Sequence, residues 1–363
     1  MERKLKAALV GVGSMGRGHL DNYVKFLKED SPIQIVALCD VDEKKFTNYK
    51  ADFNLGEVGA DGYDFNMFRL YNDLDKMLEA ETDLDMVTIA LPTYLHCWGA
   101  CKCMEKGINV LSEKPMALTV EQCEEMIACA KKNNVRLMIG QCLRFAPAYL
   151  KLKEIIDSGE LGEVYFGKTA YVRRRGTPYG WFTDKKTSGG GPIIDIGIHG
   201  IDAAWYLMGN PKPVRISAQI SNRIGDYQTK GVDRWIGTKC PDNRFDTEDS
   251  GCGVIHFENG ACLMFEASWA INGPAHSDTL ICGTKAGVSL DPFKVYGERN
   301  GYLSDDAITM NDNNRFASEL THFYDCVLND KEPIYPIEQA ILMQKMLNGI
   351  YESAENGKEV EIV

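Results

Sequence analysis

Short runs of apolar residues recur through the first 140 residues, and stretches with polar positions separate them. A continuous apolar run is typical of a parallel strand that is buried on both faces. A helix is predicted over 119–133, and the apolar runs lie at 7–10, 33–39, 84–90, 108–112 and 135–140. This pattern predicts an α/β domain with a parallel sheet.

The second half of the chain has shorter segments in which apolar and polar residues often alternate. They lie at 164–172, 216–222, 253–257, 261–267 and 279–282. Glu258-Asn259-Gly260 between two of them indicates a hairpin, because Asn-Gly supplies positive φ angles. We predict an α/β domain with an open, mostly antiparallel sheet and final helices over 316–328 and 337–356. One face of that sheet needs cover, so we expect a homodimer or homotetramer.

The length of 363 residues favours two domains, which we place at 1–141 and 142–363. A net charge of −12 argues against nucleic-acid and anionic-membrane partners. No apolar run reaches the length of a membrane span, and the N-terminus does not resemble a secretory signal. The 12 cysteines include no C-x-x-C pair. We therefore expect a cytoplasmic protein with reduced thiols and no bound metal.

A glycine-rich turn joins the first apolar run to the first predicted helix. Gly11, Gly13 and Gly16, with Ser14 and Met15 between them, form G-x-G-x-x-G. The first glycine permits a tight turn, the second lets a pyrophosphate approach the backbone, and the third lets the helix pack on the strand. The motif predicts a dinucleotide site at this turn.

Asp40 follows the second apolar run, a little over twenty residues beyond the glycines. A carboxylate at this place accepts hydrogen bonds from the adenine-ribose hydroxyls and repels a 2′-phosphate. NAD is therefore favoured as the cofactor. NADP stays open, because Lys44 or Lys45 would attract that phosphate.

Leu91, Pro92, Thr93 and His96 follow the next run, where open α/β sheets bind ligands, so they are candidates for the nicotinamide half of the cofactor. For His96, a polar helix cap is the alternative. Glu113-Lys114-Pro115 reaches the same edge of the sheet, and we expect Glu113 and Lys114 to contribute to the cofactor site. Lys114 is also a candidate for holding a substrate hydroxyl, the alternative being an exposed charge at a strand end.

Near the middle of the chain, three glycines precede a predicted helix over 192–208. Asp195 and His199 are one turn apart on it and can serve one site. The alternative is a buried histidine that is satisfied by a neighbouring aspartate. Gly197 and Gly200 each cost about 1 kcal/mol inside a helix. We expect the preceding glycines to form a flexible loop, and close packing near the nicotinamide to explain the two internal ones.

Taken together, these motifs resemble the Gfo/Idh/MocA oxidoreductase family. The resemblance rests on G-x-G-x-x-G, on P-T-x-x-H, E-K-P and R-F-x-P, and on G-G-G-x-x-x-D-x-x-x-H. It implies a Rossmann domain, a nicotinamide cofactor, and Lys114, Asp195 and His199 at the active site. It also implies an aromatic residue near the pocket, matched here by Trp181. The segments 247–250 and 268–270 are similar to uncharacterised members.

The predicted reaction is hydride transfer between a secondary hydroxyl of a polyol, sugar or glycoside and NAD. His199 is the candidate base, Asp195 orients it, and Lys114 holds the substrate oxygen. Two alternatives are an NAD-dependent glycoside hydrolase that oxidises its substrate transiently, and a cofactor-binding sensor without catalysis. Predicted substrate-binding residues are Arg144, Tyr171, Arg173, Trp181, Asp195 and His199, with Asp202 as a further candidate for the pocket wall.

Overall fold

The structure is a computed structural model, and it describes residues 4–29, 31–48, 51–53, 56–58, 62–234, 244–309 and 313–362. Contacts between residues divide the chain into two compact units. The first comprises Met1–Gly140 and Phe316–Ile341, and the second comprises Gln141–Arg315 and Leu342–Val363. Among the described helices, none combines the length and the low polarity that a membrane span requires.

The first unit is built on a parallel sheet with the order β5-β2-β1-β6-β7-β8. This is the order of a doubly wound dinucleotide-binding sheet, in which the order of the strands reverses between β1 and β6. Its strands are short because each buries a brief apolar run. The strands up to this point in the chain are β1 (Leu5–Val10), β2 (Ile33–Cys39), a separate antiparallel pair of β3 (Ala51–Phe53) and β4 (Gly56–Val58), β5 (Arg69–Tyr71), β6 (Met86–Ile89), β7 (Asn109–Glu113) and β8 (Leu137–Gly140).

The second unit contains a nine-stranded sheet with the order β16-β15-β14-β13-β9-β12-β11-β10-β17. Only β9 and β12 pair in parallel, so the sheet is mostly antiparallel, as predicted. Gly260 adopts a φ of +83° in the predicted hairpin turn. The strands are β9 (Val164–Val172), β10 (Pro213–Ser221), β11 (Ser250–Phe257), β12 (Cys262–Ser268), β13 (His276–Gly283), β14 (Gly287–Leu290), β15 (Phe293–Arg299), β16 (Tyr302–Ala307) and β17 (Val360–Glu361).

Helices pack against strands of both sheets. The side chain of Thr119 accepts a hydrogen bond from the Gln122 amide and caps α4, which fits the predicted start of that helix. The helices are α1 (Ser14–Lys28), α2 (Leu74–Ala80), α3 (His96–Met104), α4 (Val120–Asn133), α5 (Pro147–Asp157), α6 (Lys185–Ser188), α7 (Ile198–Leu207), α8 (Arg315–Leu328) and α9 (Ile337–Asn356).

β8 ends at Gly140, one residue before the predicted boundary, and Phe316–Ile341 groups with the first unit by its contacts. The ring of Phe316 lies edge-on to His19, 6.4 Å away, and Tyr335 and Ala340 are part of the apolar core around the parallel sheet. Arg136 after α4 also pairs with Asp330. The chain therefore returns to the first unit after β16, which a linear division could not anticipate.

The helix predicted over 192–208 begins in a different geometry. Ile193–Gly197 forms a π-helical turn, and α7 continues from it as an ordinary helix. Pro192 stands at its start and Gly209 follows its end with a φ of +86°, both as expected. π turns are rare and occur frequently at functional sites.

Candidate active site

The glycine-rich turn leaves a space over its second glycine. A side chain on Gly11, which has a φ of +93°, would lie 2.4 Å from the Ala90 carbonyl oxygen, and one on Gly16 would lie 1.9 Å from that of Gly11. At Gly13, nothing lies within 4 Å of the position of a Cβ atom. Gly11 and Gly16 are therefore required by packing, whereas Gly13 leaves room for a ligand to approach the backbone.

α1 begins at Ser14, directly after Gly13, so the amides of its first turn lie beside this space. Ser14 is exposed and Met15 is half-buried, whereas Gly16 and Arg17 are buried. The first turn contains no acidic side chain. Free amide groups and the helix dipole together favour an anion, which supports the predicted role of 11–16 in holding a pyrophosphate.

Asp40 joins this turn to the loop after β2. Its Oδ2 accepts a hydrogen bond from the Val12 amide at 2.8 Å, and its Oδ1 accepts one from the Asp42 amide at 2.9 Å. A carboxylate has about four lone-pair sites, so both oxygens keep capacity for ribose hydroxyls. Lys44 is exposed and Lys45 half-buried in the following 3₁₀ turn, so NADP also stays open as a cofactor.

His96 holds two loops in place. Its Nε2 lies 2.8 Å from the Leu91 carbonyl oxygen, and its Nδ1 lies 2.8 Å from that of Pro115. Burial lowers the pKa of His96, and the hydrogen bonds with the Pro115 and Leu91 carbonyls and the charge of Glu113 oppose the fall. The ring is buried, so His96 acts through the loops that it positions, Pro92 and Thr93 among them.

Glu113 lies beneath the predicted lysine. Its Oε1 is 2.8 Å from Nε2 of His19, and its Oε2 accepts a hydrogen bond from the Lys114 amide at 3.2 Å. Burial alone would raise the pKa of Glu113, but the bond with His19 and the charges of His19, Lys114 and His96 outweigh it and lower the pKa. Lys114 is half-buried between buried neighbours. The backbone of Lys114 is therefore held by the buried, charged side chain of Glu113.

In the second unit, Asp195 and His199 stand out from their surroundings. Every other residue from Gly191 to Trp205 is buried, and these two alone are partly exposed. Oδ2 of Asp195 accepts a hydrogen bond of 2.9 Å from the indole nitrogen of Trp269, which is fully buried. Trp269 follows β12 and so fixes one carboxylate oxygen of Asp195.

A buried carboxylate caps the π turn. Glu248 accepts hydrogen bonds from the Gly191 amide at 2.9 Å, from the Ile193 amide at 3.2 Å and from the Tyr351 hydroxyl at 2.8 Å. Burial raises the pKa of Glu248, and these three bonds oppose the rise. Glu248 thus pairs amides that the start of a helix leaves without helical partners.

The predicted flexible glycine loop is closely packed. A side chain on Gly190 would lie 2.1 Å from the Tyr351 hydroxyl, and one on Gly191 would lie 2.1 Å from the Glu248 carbonyl oxygen. The internal glycines are closely packed, as expected: a Cβ on Gly197 would meet Ala267 at 3.0 Å, and one on Gly200 would meet Thr169 at 2.5 Å. These glycines let the helix approach the sheet, and a nicotinamide ring is not needed to explain them.

Comparison with known proteins supplies the family. Residues 5–141 match the model of an oxidoreductase family with an NAD-binding Rossmann fold, and residues 149–289 match the GFO/IDH/MocA C-terminal domain. The D-glucoside 3-dehydrogenase of Escherichia coli strain K12 is 32% identical over 367 residues, covering 99% of this chain and 97% of that protein. The chain belongs to the Gfo/Idh/MocA oxidoreductase family.

Other Gfo/Idh/MocA similarities also extend over the whole chain. The scyllo-inositol 2-dehydrogenase (NAD(+)) of Bacillus subtilis strain 168 is 25% identical over 370 residues, 100% of this chain and 97% of that protein. A crystal structure of aldose-aldose oxidoreductase from Caulobacter crescentus, complexed with glycerol, has a TM-score of 0.79 and 26% identity. It covers 99% of this chain and 100% of that chain. The family resemblance and the NAD-binding Rossmann domain predicted from the motifs are confirmed.

Within the Gfo/Idh/MocA domain, Arg144 and Asp202 form a buried ion pair. Nε and Nη2 of Arg144 donate to the two carboxylate oxygens of Asp202, each at 2.8 Å. Burial raises the pKa of Asp202, and the charge of Arg144 and its two-point contact oppose the rise. The pair ties the turn before α5 to α7. Substrate contact by either residue remains a prediction.

The other predicted pocket residues make contacts that involve aromatic rings. Arg173 follows β9, and its guanidinium lies 5.2 Å from the Tyr171 ring centroid. Trp181 stacks on Phe182 with ring centroids 4.1 Å apart. Tyr171, Arg173 and Trp181 are all half-buried, which leaves part of each side chain accessible to a ligand.

Sequence reasoning missed the partners of these residues. Trp269 and Glu248 lie in segments that resembled uncharacterised family members, but no role followed from that resemblance. Their contacts with Asp195 and Gly191 span 74 and 57 positions of the chain. The only signal in the sequence was a tryptophan and a carboxylate in segments that are similar to uncharacterised family members.

Proposed function

We propose that this protein oxidises a secondary hydroxyl of a sugar, glycoside or polyol with NAD. The observation that carries the proposal is the half-exposed pair of Asp195 and His199 on an otherwise buried helix start. The similarity to a D-glucoside 3-dehydrogenase over 99% of the chain supports a glycoside as the first substrate to test. A secondary alcohol needs a base for its proton, and this pair supplies an imidazole and a carboxylate.

His199 is the proposed base that takes the hydroxyl proton. Asp195 stabilises the imidazolium that results, and the hydrogen bond from Trp269 keeps its carboxylate in one orientation. Lys114 is proposed to hold the substrate oxygen, where a positive charge stabilises a developing alkoxide. A half-buried lysine on a loop fixed by Glu113 and His96 loses little freedom when it binds that oxygen.

The residues of the first unit fit the dinucleotide. When bound, NAD would supply the hydride acceptor for this chemistry. The open space over Gly13 and the amides of Ser14 and Met15 would hold the pyrophosphate, and Asp40 would accept hydrogen bonds from the ribose hydroxyls. Leu91, Pro92 and Thr93 are proposed to line the nicotinamide end.

The test is an absorbance screen for NADH formation. Glucosides, free aldoses, sugar phosphates and cyclitols are incubated with the protein, with NAD and NADP in parallel. The proposal predicts NADH in equal amount to a keto product and a preference for NAD. Cleaved glycoside without NADH would show the hydrolase instead, and the absence of any reaction while NAD binds would show a sensor.

We also propose that the outer face of the second-unit sheet pairs with another copy of the chain. In the strand register Val254, Met264, Lys168 and Leu280 lie side by side on this face, and Met264 is 42% exposed. An apolar band of this kind is normally covered in an oligomer. Light scattering should show that the parent protein is a dimer or tetramer. Met264→Arg places a second positive charge beside Lys168 and should convert that oligomer to monomers. A monomeric parent protein would contradict this.

A cytoplasmic location is the last part of the proposal. The cysteines of the described segments are all free thiols, which is the usual state in a reducing compartment. Fractionation of the native host followed by immunodetection tests it, and recovery of the protein outside the cytoplasm would contradict it.

A further inference from the structure

A cluster of metal-ligating side chains lies between two helices of the first unit, away from the glycine-rich turn. Cys97 and Cys101 are four residues apart on α3, and Glu125 lies on α4, which packs against α3. The two sulfur atoms and a carboxylate oxygen of Glu125 all lie within 4.8 Å of one another. Residues four apart share one face of a helix, so both cysteines point into this seam.

A third sulfur belongs to the same seam. Cys129 lies one turn after Glu125, and its thiol donates a hydrogen bond to the Cys101 carbonyl oxygen at 3.6 Å. Nδ2 of Asn133 in turn donates to the Cys129 sulfur at 3.5 Å. The seam thus carries a cysteine pair on one helix and a glutamate and a cysteine at the same spacing on the other.

We propose that Cys97, Cys101 and Glu125 form a binding site for a divalent cation of the zinc class. Thiolate and carboxylate are both ligands of Zn²⁺, at about 2.3 Å and 2.0–2.2 Å. Around one tetrahedral ion such atoms stand roughly 3.3–3.8 Å apart. The three atoms lie within 4.8 Å of one another, so binding needs a contraction of at most about 1 Å, to which rotation of the exposed Glu125 side chain contributes.

Exposure distinguishes this cluster from ordinary core cysteines. Cys97 is buried, Cys101 is half-buried and Glu125 is exposed, so the three donors run from the interior to the surface. An ion can reach the site from solvent, and a fourth ligand position faces water. Fully buried cysteines such as Cys103, also on α3, lack this access.

Occupation of the site would connect α3 to α4. α3 begins at His96, whose ring holds the Leu91 and Pro115 carbonyls, and Cys97 is the next residue. A ligand that binds only the folded protein stabilises it by mass action. We therefore expect the ion to raise the melting temperature of the full-length protein.

Cobalt titration of the reduced, chelator-treated protein tests the site directly. Co²⁺ bound by thiolates gives a sulfur-to-metal charge-transfer band in the near ultraviolet and visible bands of tetrahedral coordination. The parent protein should show both with one equivalent of Co²⁺, and Zn²⁺ should displace them. Their absence in the parent protein would overturn the proposal.

Variants assign the bands to these residues. Cys101→Ser should abolish the charge-transfer band from this pair. Glu125→Gln, at an exposed position that does not threaten folding, should weaken Co²⁺ binding at least roughly 10-fold, because the loss of even an outer-shell partner of a ligand usually costs about 10–100-fold. Cys252→Ser, which removes an exposed cysteine of the second unit, is the matched control and should change nothing. Unchanged Co²⁺ binding in the first two variants would contradict the site.

Discussion

The imidazole of His199 is the group on which the proposed chemistry depends most. Replacing it with alanine should lower kcat by about 10²–10⁴-fold, which is the usual contribution of a general base. Binding of NAD should persist, because the glycine-rich turn is untouched. Steady-state kinetics and a cofactor titration measure the two effects.

His256 offers a matched control for that change, since it is a half-buried histidine on β11. His256→Ala should keep parental kcat. If His199→Ala also keeps it, another group is the base.

The indole of Trp269 is expected to act on Asp195 rather than on substrate. Trp269→Phe keeps the ring and removes the hydrogen bond of 2.9 Å, so kcat should fall roughly 10-fold or more, because a bond to a charged group contributes about 1.5–3 kcal/mol. The pH profile of kcat should shift as well, since Asp195 would stabilise the imidazolium less well.

Trp205 provides the control for Trp269. It is equally buried, and its indole donates at 2.7 Å to the Pro211 carbonyl oxygen instead. Trp205→Phe should affect stability without moving the pH profile. Equal effects of the two variants on that profile would exclude a positioning role for Trp269.

The lowered pKa of Glu113 predicts that the free energy of unfolding depends on pH in the acidic range. A carboxylate with a depressed folded-state pKa contributes its full stability above its unfolded pKa, near 4.5, and loses it as the pH falls through the folded value. The difference in unfolding free energy between the parent and Glu113→Gln should therefore be constant near neutral pH and shrink below about pH 4.5. Denaturant unfolding across this range measures it, and a difference that grows with acidity would contradict the assignment.

For single residues, the sequence predicted the positions of the charged and polar side chains better than their hydrogen-bond partners. Asp40, Lys114, Asp195 and His199 each follow a strand or a glycine-rich motif, so local pattern locates them. The bonds that orient them come from Trp269 and other residues that are distant in the chain. No local pattern encodes such contacts.

Among the elements, the π turn before α7 depends on glycines that fit against fixed neighbours. Gly191→Ala would place a methyl group 2.1 Å from the Glu248 backbone oxygen, which cannot rotate away. We expect a loss of about 1–3 kcal/mol of stability and a lower melting temperature. Calorimetry measures the change.

Gly273→Ala is the control for that substitution, because nothing lies within 4 Å of its Cβ position. It should leave the melting temperature near the parental value. Equal melting temperatures for the two variants would show that the backbone around Gly191 moves to make room for the methyl group without loss of stability, and would contradict this prediction.

The bounds of elements with a clear hydrophobic periodicity or a clear turn signal were predicted closely. The helix expected over 337–356 is observed as Ile337–Asn356, and the hairpin at Gly260 joins β11 to β12. The π turn was not predicted, because the apolar spacing of an ordinary helix continues through it. A flexible loop was expected at the three glycines, but Gly190 and Gly191 are closely packed, since glycine serves tight packing as readily as motion.

For the whole molecule, the motifs predicted the fold class because the first sheet needs each strand in order and each motif lies at a strand end. The return of Phe316–Ile341 to the first unit was not predicted. Its helical periodicity is visible in the sequence, but periodicity does not say against which sheet a helix packs. The cysteine and glutamate seam was also missed, because its donors lie on two helices and not in a C-x-x-C motif.

Transfer of deuterium from substrate to NAD tests the central claim most directly. The substrate identified by the NADH screen is prepared with deuterium on the carbon that carries the oxidised hydroxyl. The account predicts that one deuterium per turnover appears on the nicotinamide ring of the reduced cofactor, as measured by mass spectrometry, and that His199→Ala suppresses it. Release of the deuterium to water, with none on the cofactor, would contradict the account.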